Sequence, residues 1–549
     1  MRAPRPLQTQ EILDARTAIV RGAADRESRL FALRGRPVRR ARVAREWHEL
    51  LLFVRAHPYA PHVAAWADDT LAELIDGLDD ALRDALANSG IATTPTRSTF
   101  SWPLVQALSR AEDGTLVQLD ALEAQPGVLF ETMRPLLAPV ARETPDLLPD
   151  AHVDTVLRTT FGDDRRTWLA HLVRALQAAP LGTAWRTYVW MQLAATVCVQ
   201  GRAAGLSFAR APQTTPVLVP HGPKRDADVQ AACAAGPPAT VPLTARQRTG
   251  LQQSMRLVLA SLQRETDPVT HAETVTLHDM GRGVRIALVP LAPAVRLPFD
   301  SYVGFMAFRN GVPLAYGGAW IYPGRSKVGI NVFPAMRGGE SAWFFTQLLR
   351  LYHHRFDVRV FEAENYQLGL GNAEGLRSGA YWFYYRLGFV PTDARLARVA
   401  AREFARLQAS RAYTVPRALL RELVADGLEL TIAPEPIAPT DTGALTLAVQ
   451  QHIAARYGGD VPAATRAALH RVGALLPARA SRTSPGSAAT AWYTALDAIP
   501  DLERWTLRER RALVSLLETK DAPDEQRHQR LLRHHTRLLD AWRALSKAR

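Results

Sequence analysis

Two closely spaced turn signals, Asn310-Gly311 and Pro323-Gly324, constrain this chain more than any other feature. They separate three runs rich in β-branched and aromatic residues, Tyr302 to Phe308, Pro313 to Tyr322 and Lys327 to Phe333. Asn-Gly accepts the left-handed backbone that a tight hairpin needs, so these runs are expected to fold back on one another as consecutive antiparallel strands. Val284 to Leu291 reads as a strand ahead of them. Behind them Pro334 ends the strand pattern and Met336-Arg337-Gly338-Gly339-Glu340-Ser341 leads into helical spacing up to His354. Strand Val358 to Glu364, a glycine-containing loop from Asn365 to Gly371, helix Glu374 to Leu387 and strand Phe389 to Pro391 follow. Three strands, helix, strand, helix, strand is an α+β arrangement.

The flanks read differently. Residues 1–210 are expected to form an α-helical domain. Within it, Asp68 to Leu86 sets Leu71, Leu74, Ile75, Leu78, Leu82 and Leu86 on one helical face, and Trp168 to Leu176 and Trp185 to Val199 show similar periodicity. The cluster Trp185, Tyr188 and Trp190 is read as core. Residues 211–243, rich in proline and alanine, are read as a linker. The mixed domain is assigned to 244–395, opening with a helix capped by Thr244 and running to Gln263. A second α-helical domain is assigned to 396–549, with helices at Leu396 to Gln408, Pro416 to Asp426, Thr442 to Tyr457, Pro462 to Leu475, Ala488 to Ala498, Thr506 to Leu517 and Asp524 to Leu545. Ser481 to Ser487 is read as a short linker between two of them.

Composition narrows the classes of function. The formal charge of +14 would suit a nucleic-acid partner, yet Lys224, Lys327, Lys520 and Lys547 are the only lysines, and an arginine- and alanine-rich chain has a compositional reason to be basic. Nucleic acid is therefore the less favoured partner, and the dense run of Arg34, Arg36, Arg39, Arg40, Arg42 and Arg45 is read as a solvated helix face. No run of eighteen apolar residues and no apolar leader is found, so no membrane span and a cytoplasmic location are expected. Cys198 and Cys233 lack redox or zinc spacing, the histidines form no ligand pattern, and no metal is expected.

The chemistry concentrates between Val328 and Pro391. A strand that enters a glycine-containing turn and then a helix exposes unpaired N–H groups at the positive end of the helix dipole, which suits a pyrophosphate. Farther on, Tyr381-Trp382-Phe383-Tyr384-Tyr385-Arg386-Leu387-Gly388-Phe389 is an aromatic helix end that turns through glycine. With the order of elements, these two motifs resemble the GNAT N-acetyltransferase superfamily over roughly 284–393. The glycine-rich stretch Tyr366 to Ala380 also resembles that of large bacterial proteins of similar layout, which implies no activity.

The family resemblance implies a central mixed sheet flanked by helices, with acetyl-CoA or another acyl-CoA as co-substrate in a splay between the fourth and fifth strands. Its pyrophosphate turn would be Met336, Arg337, Gly338, Gly339, Glu340 and Ser341, with Gly339 and Ser341 at the small positions and Met336 where Gln or Arg is usual. Starting the register at Arg337 puts Glu340 and Ala342 there instead, and the Glu340 carboxylate must then point away from the phosphates. Tyr384, four residues before Gly388-Phe389, takes the place of the tyrosine that protonates the leaving thiolate. A phenol stays protonated at neutral pH. Glu364, at the end of the fifth strand, is the candidate base for an amine acceptor, on a small molecule or a protein. The expected function is thus an acyl-CoA-dependent N-acyltransferase. A non-catalytic GNAT-like binding or scaffold protein is the alternative, and an aminoacyl-tRNA-dependent or nucleic-acid-associated transferase a further one.

Overall fold

The computed structural model describes residues 5–110, 114–124, 126–136, 139–141, 153–213, 215–220, 222–224, 226–272, 274–433, 439–477, 487–523 and 525–547. The linker read at Ser481 to Ser487 lies, apart from its last residue, outside them. The fold is α+β, with two sheets and many helices. A small antiparallel sheet holds β1 (Thr96–Ser98), β2 (Leu116–Leu122) and β3 (Ala195–Gln200) in the order β1-β3-β2. The large sheet runs β11-β10-β9-β8-β7-β6-β5-β4 and comprises β4 (Ala239–Val241), β5 (Thr276–Gly281), β6 (Val284–Pro290), β7 (Ser301–Arg309), β8 (Val312–Tyr322), β9 (Arg325–Val332), β10 (Val360–Ala363) and β11 (Leu428–Thr431). Every neighbouring pair in it is antiparallel except β9 and β10.

The meander forms where its turns require it. Asn310 and Gly311 adopt φ of 47° and 81°, the paired left-handed conformations of a tight hairpin between β7 and β8. Side chains alternate across a strand, so the register divides the sheet into two faces. Val303, Phe305, Ala319 and Val328 share one face, on which helix Ser341–Phe356 packs: Phe305 meets Phe344 at 6.3 Å between ring centroids, and the Tyr352 hydroxyl donates to Val303 O at 2.9 Å. Each valine or phenylalanine among them, taken from water, contributes about 1.5–3 kcal/mol. The other face presents Tyr302, Gly304, Gly318, Gly329 and, across β10, Glu362.

Several elements differ from the sequence reading. Trp185 to Val199 is a helix, Thr183–Gln192, followed by β3, because Ala195 to Gln200 alternates as a buried strand. Trp190 is core, but Trp185 and Tyr188 are 61% and 51% exposed, which corrects their assignment. Asp68 to Leu86 divides at Gly77 into helices Pro61–Asp76 and Asp80–Ala85. The helix read at Glu374 to Leu387 breaks at Gly379, where φ is 71°, into Ala373–Ser378 and Ala380–Arg386. The strand read at Phe389 to Pro391 is a single bridge, Val390 to Glu429, and β11 interrupts what read as an all-helical C-terminal region.

Among the described residues, three apolar cores organise these elements. The helices of 7–92 share one core with the large sheet, whereas 100–204 close a second around the small sheet. The third gathers 445–542 with Phe299 and Tyr322 of the sheet region. The proline-rich stretch 211–243 also joins the central body. Its helix Val229–Ala234 buries Val229, Ala232 and Cys233, His354 Nε2 lies 2.8 Å from Ala235 O, and β4 adds an edge strand.

Candidate functional site

The ladder between β9 and β10 pairs Arg325–Val328 with Val360–Ala363 and stops there. β9 continues to Val332, still paired with β8 through Ala315–Gly318. β10 instead leaves the sheet at Glu364 and enters the one-turn helix Asn365–Leu368. A wedge therefore opens between the two strands. On the helix-bearing face it exposes half-buried Ile330 and Val332; on the other it exposes Gly329 and Asn331. Gly329 faces the carboxamide of Gln367, whose Nε2 would lie 3.4 Å from an added Cβ. The neighbouring strand pair is tight: a Cβ at Gly317 would lie 2.2 Å from Gly329 O.

Tyr384 lies deep on the helix-bearing side. Its ring meets Phe345 edge-on at 5.4 Å and Phe389 at 5.4 Å, and its hydroxyl is buried without a hydrogen-bond partner. Burial pushes the phenol pKa up, and the charge of Glu364 pushes it further, so it stays protonated throughout the neutral range. Glu364 itself is exposed. It also acts on Tyr302, whose pKa rises mainly through burial, then through Asp267 and Glu364. A cavity of about 400 Å³ opens beside Glu364, lined by Lys327, Glu362, Tyr366, Asp426 and Glu429 among others. Arg325 neutralises part of that wall by pairing with Glu362 at 2.8 Å and Glu429 at 2.5 Å. Of the two residues singled out for catalysis, Glu364 stands where β10 leaves the sheet, and Tyr384 lies buried among Phe345, Phe383 and Phe389.

The turn after β9 is built from underneath. Pro334–Met336 forms a 3-10 turn, Gly338 has φ 76°, and Glu340 precedes helix Ser341–Phe356 without capping it. The first helical hydrogen bond runs from Phe344 N–H to Glu340 O, so the N–H groups of Ser341, Ala342 and Trp343 point out of the helix end. Met336 is buried in the core. The Glu340 carboxylate turns inward, accepting from Lys224 N–H at 2.9 Å, with Arg282 3.6 Å, Arg309 3.5 Å and His57 4.0 Å away. Arg309 is fully buried, and its three guanidinium nitrogens make no hydrogen bond. Burial lowers its pKa to about 10. His57 is held neutral, its pKa lowered to about 3 by burial and by Arg309, and its Nδ1 donates to Phe53 O at 3.1 Å. From helix Thr9–Arg21, Arg16 donates to Ala335 O at 2.8 Å and Arg337 O at 2.9 Å.

Of the turn residues, Met336 and Glu340 therefore face inward, Gly339 and Ser341 are half-buried, and Arg337 and Gly338 are exposed. Arg337 lies 3.8 Å from Glu374 of helix Ala373–Ser378. Sequence reasoning missed Arg16, His57, Arg309 and Gln367. Nothing local marks them, since each meets the site through a partner far along the chain. Among the described residues, no cluster of three His, Cys, Asp or Glu side chains is arranged to hold a metal ion, and no helix is long and apolar enough to cross a membrane. Comparison with known proteins returns nothing: no family model, no curated protein and no solved structure matches this chain.

Proposed function

We propose that the wedge is an acyl-thioester groove and that the protein is a GNAT-type N-acyltransferase using acetyl-CoA or another acyl-CoA. The observation that carries this reading is the early end of the β9–β10 ladder at Val328 and Ala363, with β9 running on toward the open N-terminus of helix Ser341–Phe356. When bound, the acyl-CoA supplies an activated acyl carbon. The residues present fit such a group. Ile330 and Val332 offer an apolar floor, while the free N–H groups of Ser341 to Trp343, with Arg337 beside them, offer an anion site at the positive end of a helix dipole. The inward turn of Glu340 keeps its charge off the outer side of the turn.

In this reading the acceptor amine approaches from the face that carries Glu364, which takes its proton directly or through water. The new C–N bond forms as the C–S bond breaks, and Tyr384 gives its proton to the departing sulfur. A backbone N–H of the unpaired end of β9 would meet the oxyanion. The acceptor is an amine on a small molecule or a protein.

A thermal-shift series with acetyl-CoA, longer acyl-CoAs and free CoA tests this, since a ligand that binds only the folded state stabilises it. Stabilisation by the CoA series is expected; no shift with any member would favour the second reading, a non-catalytic binding or scaffold module. That reading is supported by the Glu340 carboxylate beneath the turn and by the Arg16 clamp, which tie the turn to the N-terminal helices.

A further inference from the structure

We infer that helix Ala394–Ala409 is a docking surface for a nucleic-acid duplex, a conclusion independent of the acyltransferase reading. The helix places Arg395, Arg398, Arg402 and Arg406 at i, i+3, i+7 and i+11, so four guanidinium groups form one stripe roughly 16 Å long. The opposite side is anchored in the core: Leu396 and Ala400 are buried and Phe404 stacks on Trp382 at 6.0 Å and 17°. The stripe consequently faces solvent.

The one carboxylate on this helix, Glu403, is tucked beneath the stripe at 1% exposure, 3.2 Å from Arg402 and 3.4 Å from Arg406. It holds the two arginines in place while leaving them 62% and 57% exposed. Arg395 pairs with Glu422 at 2.6 Å and remains 60% exposed. Arg398 is exposed, as are Arg411, Arg417 and Arg421 in the segments that follow the helix. Exposed Ala394, Ala401 and Ala405 lie beside the stripe, so the helix itself puts no carboxylate on its outward face, and the exposed Glu422 meets that face only at the Arg395 end.

Three chemistries could answer such a face, and two fit poorly. A lipid surface calls for large apolar side chains next to the basic ones, and the described residues between Val390 and Leu447 include no exposed large apolar group. A single strand calls for a row of free aromatic platforms on which bases stack, whereas the ring that meets the stripe, half-buried Tyr413, is covered by the Arg406 guanidinium at 5.7 Å and held through its hydroxyl by Glu403. A duplex backbone offers closely spaced phosphates that arginine binds through paired N–H groups, and its major groove admits an α-helix. The net charge of +14 would favour the approach of such a polyanion.

Fluorescence anisotropy with labelled DNA and RNA duplexes and the full chain tests this across a salt series. Binding is expected to weaken with salt at a log–log slope of about −0.9 per phosphate contact. Arg398→Ala with Arg402→Ala should lower affinity about tenfold or more and flatten the slope by about two. Arg398→Ala with Arg411→Ala serves should the loss of the Arg402–Glu403 contact disturb folding, and Arg39→Ala with Arg40→Ala should change nothing. The inference is overturned by absence of duplex binding at low salt, by equal loss in the Arg39 and Arg40 variant, or by arginine-dependent binding to phosphatidylserine vesicles without duplex binding.

Discussion

The end of β9 and the turn that follows it are joined by one residue, yet they are built in opposite ways. At the strand end the neighbouring strand has left, and Ile330, Val332, Gly329 and Asn331 are covered only in part. In the turn, Ala335, Met336 and Glu340 are buried, and the backbone is tied by Arg16 from a helix more than three hundred residues away in sequence. One region has contacts withheld from it and the other has contacts imposed on it. Binding energy for a ligand is available where packing is incomplete, and geometry is fixed where it is complete. Under the acyltransferase proposal, the wedge and the turn are those two halves of one site.

Among single substitutions, the largest expected effect breaks or upholds that contrast directly. Glu340→Ala would leave the Arg309 guanidinium buried without its counter-charge, which is expected to cost about 3–5 kcal/mol. Glu364→Ala at the open rim should stay within roughly 0.5 kcal/mol of the parent. Urea denaturation compares the two, and equal losses would remove the distinction between a built turn and an open wedge. Gly317→Ala comes next. Its Cβ would press on Gly329 O at the edge of the wedge, and a loss of about 1–3 kcal/mol is expected.

Acidification gives a graded effect on the built regions that accumulates with each pH unit. Burial lowers the pKa of His48 and of His57 to about 3, with Arg210 and Arg309 adding to it respectively. Both are therefore neutral in the fold while the unfolded chain takes up protons near pH 6.5. Stability should be fully present above that value and fall as pH drops toward 3, by about 1.4 kcal/mol per pH unit for each histidine. Denaturation midpoints between pH 7 and pH 4 measure the slope, and His57→Gln should reduce it. The smallest effect on stability belongs to Tyr384→Phe, which removes a buried hydroxyl that has no partner and should be near neutral for folding. Turnover should nevertheless fall by about a hundredfold or more if that hydroxyl protonates the thiolate.

How much of this was legible in the sequence follows the range of the interactions. Asn310-Gly311 acts on its own backbone, so the β7–β8 hairpin could be read directly. Thr244 likewise announced its helix, and the structure gives it a full capping box with Gln247. β4 and β11 were missed because strands of three and four residues carry too little alternation to register. Gly379 split a helix that its aromatic periodicity had presented as continuous. For the proposed site, Tyr384 and Glu364 were named from local motifs, one ahead of Gly388-Phe389 and one at a strand end. The partners of Glu340 could not be. Arg309, His57 and Lys224 reach it from three other segments, and only the folded sheet brings them together. Trp185 and Tyr188 show the same limit, since their spacing fits a buried face that the other described elements leave exposed.

The central claim is that the wedge beyond Val328 and Ala363 holds an acyl-CoA, and its most direct test is calorimetric titration of acetyl-CoA and CoA into the parent chain and into Ile330→Trp, which would fill the groove. The account predicts saturable binding to the parent and loss of at least tenfold in affinity in Ile330→Trp, with the fold retained in a thermal melt. No binding to the parent, or equal binding to both proteins, would contradict it.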